Sequence, residues 1–246
     1  MKMNMIGACL AFALLLGSIG CVTAPKFDYT SYIESDPHSI LIVPVMNNSP
    51  EVGADAWFLA TISVPLAERG YYVFPVNMTR EMLANAGLSD AGLLREADPT
   101  LIAKLMGADA VLFVKITNWE AQYLIFATTV KVGFEYVLKD GKTGQEIWST
   151  KQLMTYTPQS TSSGNAIADL IVMAVQAAAT KAAPNYIPLA RQANQSIATG
   201  KNAANPGFTI SSPLLPGPYH PSYASDRQNR ALAAKSATAA KPANKR

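Results

Sequence analysis

Unbroken apolar runs alternate along this chain with stretches whose apolar residues recur every three to four positions, a rhythm that predicts strands interleaved with helices. Residues 39–45, SILIVPV, suit a strand buried on both faces, and Pro44 places it near the end of its ladder. A turn-rich loop through Asn47, Asn48, Ser49, Pro50 and Gly53 leads into a helix over 55–69. Phe58, Ile62 and Leu66 mark its core face, Gly70 closes it, and Pro65 is expected to kink or shorten it. Residues 71–76 read as a second strand, followed by a short helix capped by Asn77 or Thr79 and ending at Gly87, then another turn or two over 89–96. Asp98 with Pro99 opens a further helix, which Gly107 stops.

The strongest apolar strand is 111–117; its only charge, Lys115, is expected at the end of the buried span or snorkelling from it. Strict alternation over 128–139 puts Val130, Val132, Phe134, Tyr136 and Leu138 on one face and Lys131, Gly133, Glu135 and Lys139 on the other. The 140–144 loop, DGKTG, supplies two residues tolerant of positive φ, and 146–156 returns as the hairpin partner. Gly141-Lys142-Thr143 has the letters of a phosphate-binding loop, but Tyr136 stands where that motif needs glycine and the segment lies between strands. Two strands joined by about 70 residues of strand and helix need crossovers, so the sheet is mixed and partly parallel. A long helix over 165–183, another over 188–198 and a disordered tail complete an α/β (α+β sandwich) domain with helices packed on its sheet. The stripe of the 165–183 helix is broader than one sheet needs, which makes Ile171 and Val175 candidates for contact with a partner or a second copy.

The amino-terminal pattern bears on location. Lys2, an apolar run over 5–16 too short to span a bilayer, and Ser18-Ile19-Gly20-Cys21 read as a bacterial lipoprotein signal. Cleavage is expected between Gly20 and Cys21, with acyl chains added to Cys21. Each buried methylene contributes roughly 0.8 kcal/mol, so several chains on one residue hold a protein at a lipid surface essentially permanently. Val22 stands where Asp commonly signals inner-membrane retention in lipoproteins, so the expected place is the outer membrane, facing the periplasm. The chain thus divides into a signal at 1–20, a spacer at 21–38, a domain at 39–199 and a tail at 200–246.

Charge and cysteine usage narrow the chemistry. Residues 21–199 carry twelve Lys and Arg against sixteen Asp and Glu, whereas 200–246 hold seven bases and one acid, so the overall charge of +3 belongs to the tail. No basic face interleaved with aromatics points to nucleic acid, and none is expected as a partner. Cys9 leaves with the signal and Cys21 is acylated, so the mature chain keeps no thiol. His38 and His220 both lie beside prolines in connectors. No catalytic residue, metal site or cofactor is expected. The tail is rich in Pro, Ala, Asn, Ser and Lys, too little apolar surface to offset its ordering entropy. One island, 213–221 (PLLPGPYHP), offers Leu214, Leu215 and Tyr219 as anchors for docking on its own domain or in a partner groove.

The element order, with 107–112 (GADAVL) leading into a hairpin whose turn and return read DGKTGQEIW over 140–148, resembles a periplasmic α/β module. That module is shared by the curli-secretion outer-membrane lipoprotein, the lipoprotein activators of penicillin-binding proteins and the amino-terminal domain of the TolB translocation protein. Residues 39–56, 65–75 and 215–221 (LPGPYHP) are more closely similar to a family of bacterial lipoproteins of unassigned function. This resemblance implies a companion of a curli-secretion-like lipoprotein in one envelope system and offers no catalytic residues. The chain departs from the pore-forming relative in lacking a pair of long amphipathic hairpins for a transmembrane barrel. The expected function is a lipid-anchored, non-catalytic module that assembles with envelope or secretion proteins or with itself. The alternative is a periplasmic ligand binder or enzyme using carboxylates such as Asp55, Glu68, Asp98 and Asp109.

Overall fold

A computed structural model describes residues 27–123, 128–156, 169, 186–201, 210 and 212–239. In chain order its elements are α1 (Thr30–Ser35), β1 (Ser39–Ile42), β2 (Met46–Asn47), α2 (Ala54–Glu68), β3 (Tyr72–Val73), α3 (Val76–Asn85), α4 (Ala91–Glu96) and α5 (Pro99–Met106). There follow β4 (Ala110–Tyr123), β5 (Thr128–Asp140), β6 (Glu146–Tyr156), α6 (Ile187–Thr199) and α7 (Tyr223–Ala239).

The sheet runs β3-β1-β4-β5-β6, with β2 also on β4. β1 pairs in parallel with β3 and β4, whereas β4-β5 and β5-β6 are antiparallel, which gives the mixed sheet expected of crossovers followed by a hairpin. β3 is shorter than its sequence suggests because Pro75, which cannot donate to a ladder, immediately precedes α3. β4 is longer: beyond Lys115 its buried positions Ile116 and Trp119 continue the inner face across a slip in register between Ile116 and Asn118.

Alternation on the hairpin sends Val130, Val132, Phe134, Tyr136 and Leu138 into the main core beside Ile40, Ile42, Leu112 and Val114. α2 covers this face through Phe58, Ile62 and Leu66, and α6 through Leu189, Ala193 and Ile197. Pro65 is accommodated within α2. Aromatic rings knit the layers together: Phe58 meets Phe134 at 5.3 Å between centroids, and Trp119 meets Phe134 edge-on at 5.9 Å. Between α2 and α6 the buried Asn194 amide donates to the Phe58 carbonyl at 3.2 Å and to the Thr61 hydroxyl at 2.9 Å, so the polar group is satisfied inside. A smaller core lies on the other face, where Leu83, Leu94 and Ile102 of α3–α5 meet Leu41, Val43, Val111 and Phe113.

The caps of α5 follow the sequence, but α3 begins at Val76 with Pro75 in the capping position, so neither Asn77 nor Thr79 caps it. The Asp98 carboxylate accepts from Thr100 N–H at 2.8 Å, Pro99 occupies the first turn, and Gly107 ends α5 at φ 71°. The hairpin turn differs from expectation in one respect. Positive φ falls on Gly144 alone, while Gly141 is needed because a Cβ there would sit 2.7 Å from the carbonyls of Ala108 and Asp109. Asp140 organises the turn by accepting from Thr143 N–H at 2.6 Å and Lys142 N–H at 3.0 Å.

Both ends of the domain extend further than composition implies. Residues 27–37, read as spacer, are packed on the core, with Tyr29 and Tyr32 buried. Within the tail, Leu214 and Leu215 enter the main core and Tyr223–Ala239 is helical. The helix expected over 165–183 lies outside the described residues, apart from Asp169.

Candidate docking surfaces

The Pro-rich island is built to satisfy itself against the domain. Its prolines lack N–H groups, and of its other five residues Leu214, Gly217, Tyr219 and His220 use theirs, His220 within the island on the Gly217 carbonyl. Leu214 N–H donates to the Ile197 carbonyl at 2.8 Å, Gly217 N–H to Arg69 at 2.8 Å and Tyr219 N–H to Gly70 at 3.1 Å. Its carbonyls are met by side chains of the body: Trp148 Nε1–H donates to Ser212 at 3.0 Å, Tyr29 to Pro213 at 2.6 Å, Arg69 Nε to Leu214 at 2.9 Å and Tyr71 to Leu215 at 2.7 Å. Gly70 adopts φ 89°, and a Cβ on either Gly70 or Gly217 would collide with the opposing backbone. Leu214 and Leu215 are therefore interior residues of this domain and not a partner surface, because their apolar area is already covered; Tyr219 remains 69% exposed.

After this strap, α7 meets α1. Tyr223 OH donates to Asp36 Oδ1 at 2.5 Å, Arg227 Nη1 pairs with Asp36 Oδ2 at 2.5 Å, and Arg227 Nη2 donates to the Ile33 carbonyl. Arg230 lies over the Tyr29 ring at 4.6 Å. Although partial burial opposes ionisation of Asp36, the hydrogen bonds from Tyr223 and Arg227 hold its carboxyl below the usual range. The phenol of Tyr29 is pushed up to about 12 by burial, and those of Tyr32 and Tyr71, which hydrogen-bond each other, are also raised, chiefly by burial.

A groove of about 380 Å³ separates α2 from the start of α3, lined by Ala56, Leu59, Ala60 and Ser63 on one side and Pro75, Val76, Asn77 and Arg80 on the other. The carboxylates considered for chemistry do not converge on it. Asp98 caps α5, Asp109 accepts from Ser39 N–H at 3.0 Å and Ser39 Oγ at 2.8 Å, Glu68 accepts from Gln195 at 3.4 Å, and Asp55 sits in the first turn of α2. His38 Nε2 is 3.7 Å from Asp36, and His220 Nδ1 faces the Ser222 hydroxyl at 2.8 Å. Among the described residues no three His, Cys, Asp or Glu side chains cluster as metal ligands, and no helix is long and apolar enough to cross a membrane. Gly20, Cys21, Ile171 and Val175 lie outside the described residues.

What sequence reading did not isolate is the set of body residues that receive the strap. Arg69, Gly70, Tyr71 and Trp148 carried only generic helix-end and strand signals. The one available clue was that Gly70 follows a complete helix and precedes two tyrosines, a position where left-handed backbone and aromatic donors coincide.

Residues 27–214 match the family model of GNA1162-like lipoproteins. A lipoprotein of Neisseria meningitidis serogroup B is 39% identical over 140 residues, which cover 57% of this chain and 65% of that protein's length. The crystal structure of lipoprotein GNA1162 from Neisseria meningitidis is 32% identical, with a TM-score of 0.49, covering 59% of this chain and 97% of that one. The LpoB C-terminal domain from Escherichia coli is 20% identical, with a TM-score of 0.35 over 49% of this chain and 85% of that one. By its match from Phe27 through the docked Leu214, the chain belongs to the GNA1162-like lipoprotein family.

Proposed function

We propose that this protein is a lipid-anchored module of the outer membrane, facing the periplasm, that acts by binding other envelope or secretion proteins and not by catalysis. The observation that carries the reading is how close the packed body begins to the anchor. Phe27 already packs against the core, only six positions after Cys21, and a fully extended connection of that length reaches about 20 Å. The body is thereby held against the leaflet, where it meets neighbouring envelope proteins. Membership in a lipoprotein family and the structural roles of Asp98 and Asp109 support the same reading.

Feeding cells a radioactive fatty acid should label the wild-type chain and not Cys21→Ala. Crosslinking of the full-length protein in intact cells should then capture a defined envelope protein. The full chain is required, because truncation at Lys201 removes Leu214 and Leu215 from the core. Absence of label on wild type, or turnover of a small compound by the purified protein, would overturn the proposal.

A further inference from the structure

The side of β4-β5-β6 turned away from the main core is basic on a body that is otherwise acidic. Lys115, Glu135 and Lys151 stand in register across the three strands, and four residues away along β5 Lys131 is opposite Glu120 on one side and Thr155 on the other. Lys151 Nζ lies 2.8 Å from Glu135 Oε1, and Lys115 Nζ 3.7 Å from Glu135 Oε2, so one carboxylate is shared by two ammonium groups. The Lys151 hydrogen bond, joined by the charges of Lys115 and Arg95, holds Glu135 below the usual carboxylate range against its partial desolvation. Arg95 Nη1 is buried on α4 with no hydrogen-bond acceptor among the described residues. With Lys139, whose register partner is Glu146, the face carries five cations against Glu120, Glu135 and Glu146, although residues 21–199 as a whole are net acidic.

The middle of this face is low and polar. Gly133 lies between the two charged rows, where the register slip of β4 brings Thr117 and Asn118 beside it; a Cβ there would sit 2.6 Å from Thr117 Oγ1. Leu153, opposite Gly133, is 57% exposed, and the Lys151 side chain is 81% exposed. Rows about 13 Å apart, four residues of a strand, and strands about 4.8 Å apart distribute the cations at spacings that side chains of an extended peptide can follow.

From this arrangement we infer that the open face of β4-β5-β6 is a docking surface for an acidic, extended segment of a partner protein, with Lys115, Lys131 and Lys151 receiving its carboxylates and Leu153 an apolar side chain. Complementary charge selects the occupant: a shared Glu135 leaves the cations around it under-neutralised, and partner carboxylates complete them. The inference rests on the module reading above and gives its partner a chemistry.

The test is titration of the acylated full-length protein, in neutral detergent, with a fluorescent Glu-rich peptide. Binding that weakens as salt rises from roughly 50 to 200 mM, and weakens about tenfold in Lys131→Glu/Lys151→Glu, is the expected result. Lys104→Glu/Lys142→Glu, of equal charge change at exposed sites elsewhere, should bind as wild type does. Equal losses in both variants, or no binding to wild type, would overturn the inference. So would peptide binding unaffected by Lys131→Glu/Lys151→Glu, or wild-type binding to phosphatidylglycerol vesicles without binding to the peptide. In cells, Lys131→Glu/Lys151→Glu should keep its fatty-acid label and lose envelope crosslinking together with peptide binding; crosslinking retained by a variant that has lost peptide binding would overturn the inference and leave the module reading standing. Loss of labelling at Cys21 with peptide binding intact would instead remove the anchored-module reading alone.

Discussion

The Tyr223 hydroxyl donates to the Asp36 carboxylate at 2.5 Å, joining the end of α1 to α7, the first and last helices among the described residues. Arg227 reaches the same carboxylate and the Ile33 carbonyl, so Asp36 is the common post on which α7 hangs. Asp36 itself adopts φ 45°, a left-handed conformation that short polar side chains tolerate. Tyr223→Phe and Arg227→Ala are expected to destabilise the protein by about 1 kcal/mol each, the modest figure reflecting a partly exposed site. They should couple in a double-mutant cycle, because both act through Asp36. Denaturant titration measures both effects, and strict additivity would contradict a shared post.

Alkaline titration should release the strap. Tyr29 and Tyr71 donate to the Pro213 and Leu215 carbonyls, and burial raises both phenols above their ordinary value, Tyr29 to about 12. A raised folded value means the stabilisation is complete below the unfolded value of 10.0 and is lost as pH rises through the folded one. Stability should therefore fall between pH 10.0 and about 12. Tyrosinate absorbance followed together with Trp148 fluorescence reports it, since the indole N–H is bonded to Ser212 at 3.0 Å. Tyr29→Phe should be less stable at neutral pH and show a shallower alkaline decline.

Acid acts at the hairpin turn. The Asp140 carboxyl is held below its ordinary 3.8, since hydrogen bonds from Ser35 and the 142–143 turn outweigh the burial that opposes ionisation. A depressed folded value contributes stability that is present above 3.8 and is lost as pH falls through the folded value. Asp140→Asn should lower stability at pH 7 and approach wild type near pH 2, as followed by thermal unfolding across that range.

Gly70→Ala should detach the strap without disturbing the sheet. The residue holds φ 89° and its missing Cβ leaves room for the His220 backbone, so alanine introduces both backbone strain and a collision. A loss of more than about 2 kcal/mol is expected, accompanied by exposure of Leu214 and Leu215 to protease near the strap. Gly87→Ala, also at positive φ but with nothing within 4 Å, should cost less and leave the strap protected.

Local chemistry made much of this fold legible. Asp98, Pro99 and Gly107 marked the bounds of α5 because capping is decided within a few residues, and alternation from Val130 to Leu138 named the inner face of β5 because a strand's period is two. Strand order was not legible, since nothing local to residues 39–45 says that the run will lie between β3 and β4. The composition of the tail pointed away from packing. Yet Leu214 and Leu215 need only a prepared groove and few backbone donors, and prolines at 213 and 216 reduce both the donors to be satisfied and the entropy to be lost. Residues 27–37 were misleading for a related reason: two tyrosines are too few to show a period, but Tyr29 and Tyr32 meet edge-on at 6.3 Å and are both buried in the core.

The strap also orders events in time. Among the described core residues Ile40 is one of the first to be synthesised and Leu215 is the last, and both belong to the same core. A chain that stops short of residue 213 therefore leaves the seat of Leu214 and Leu215 open, and the interior is complete only once the strap is present.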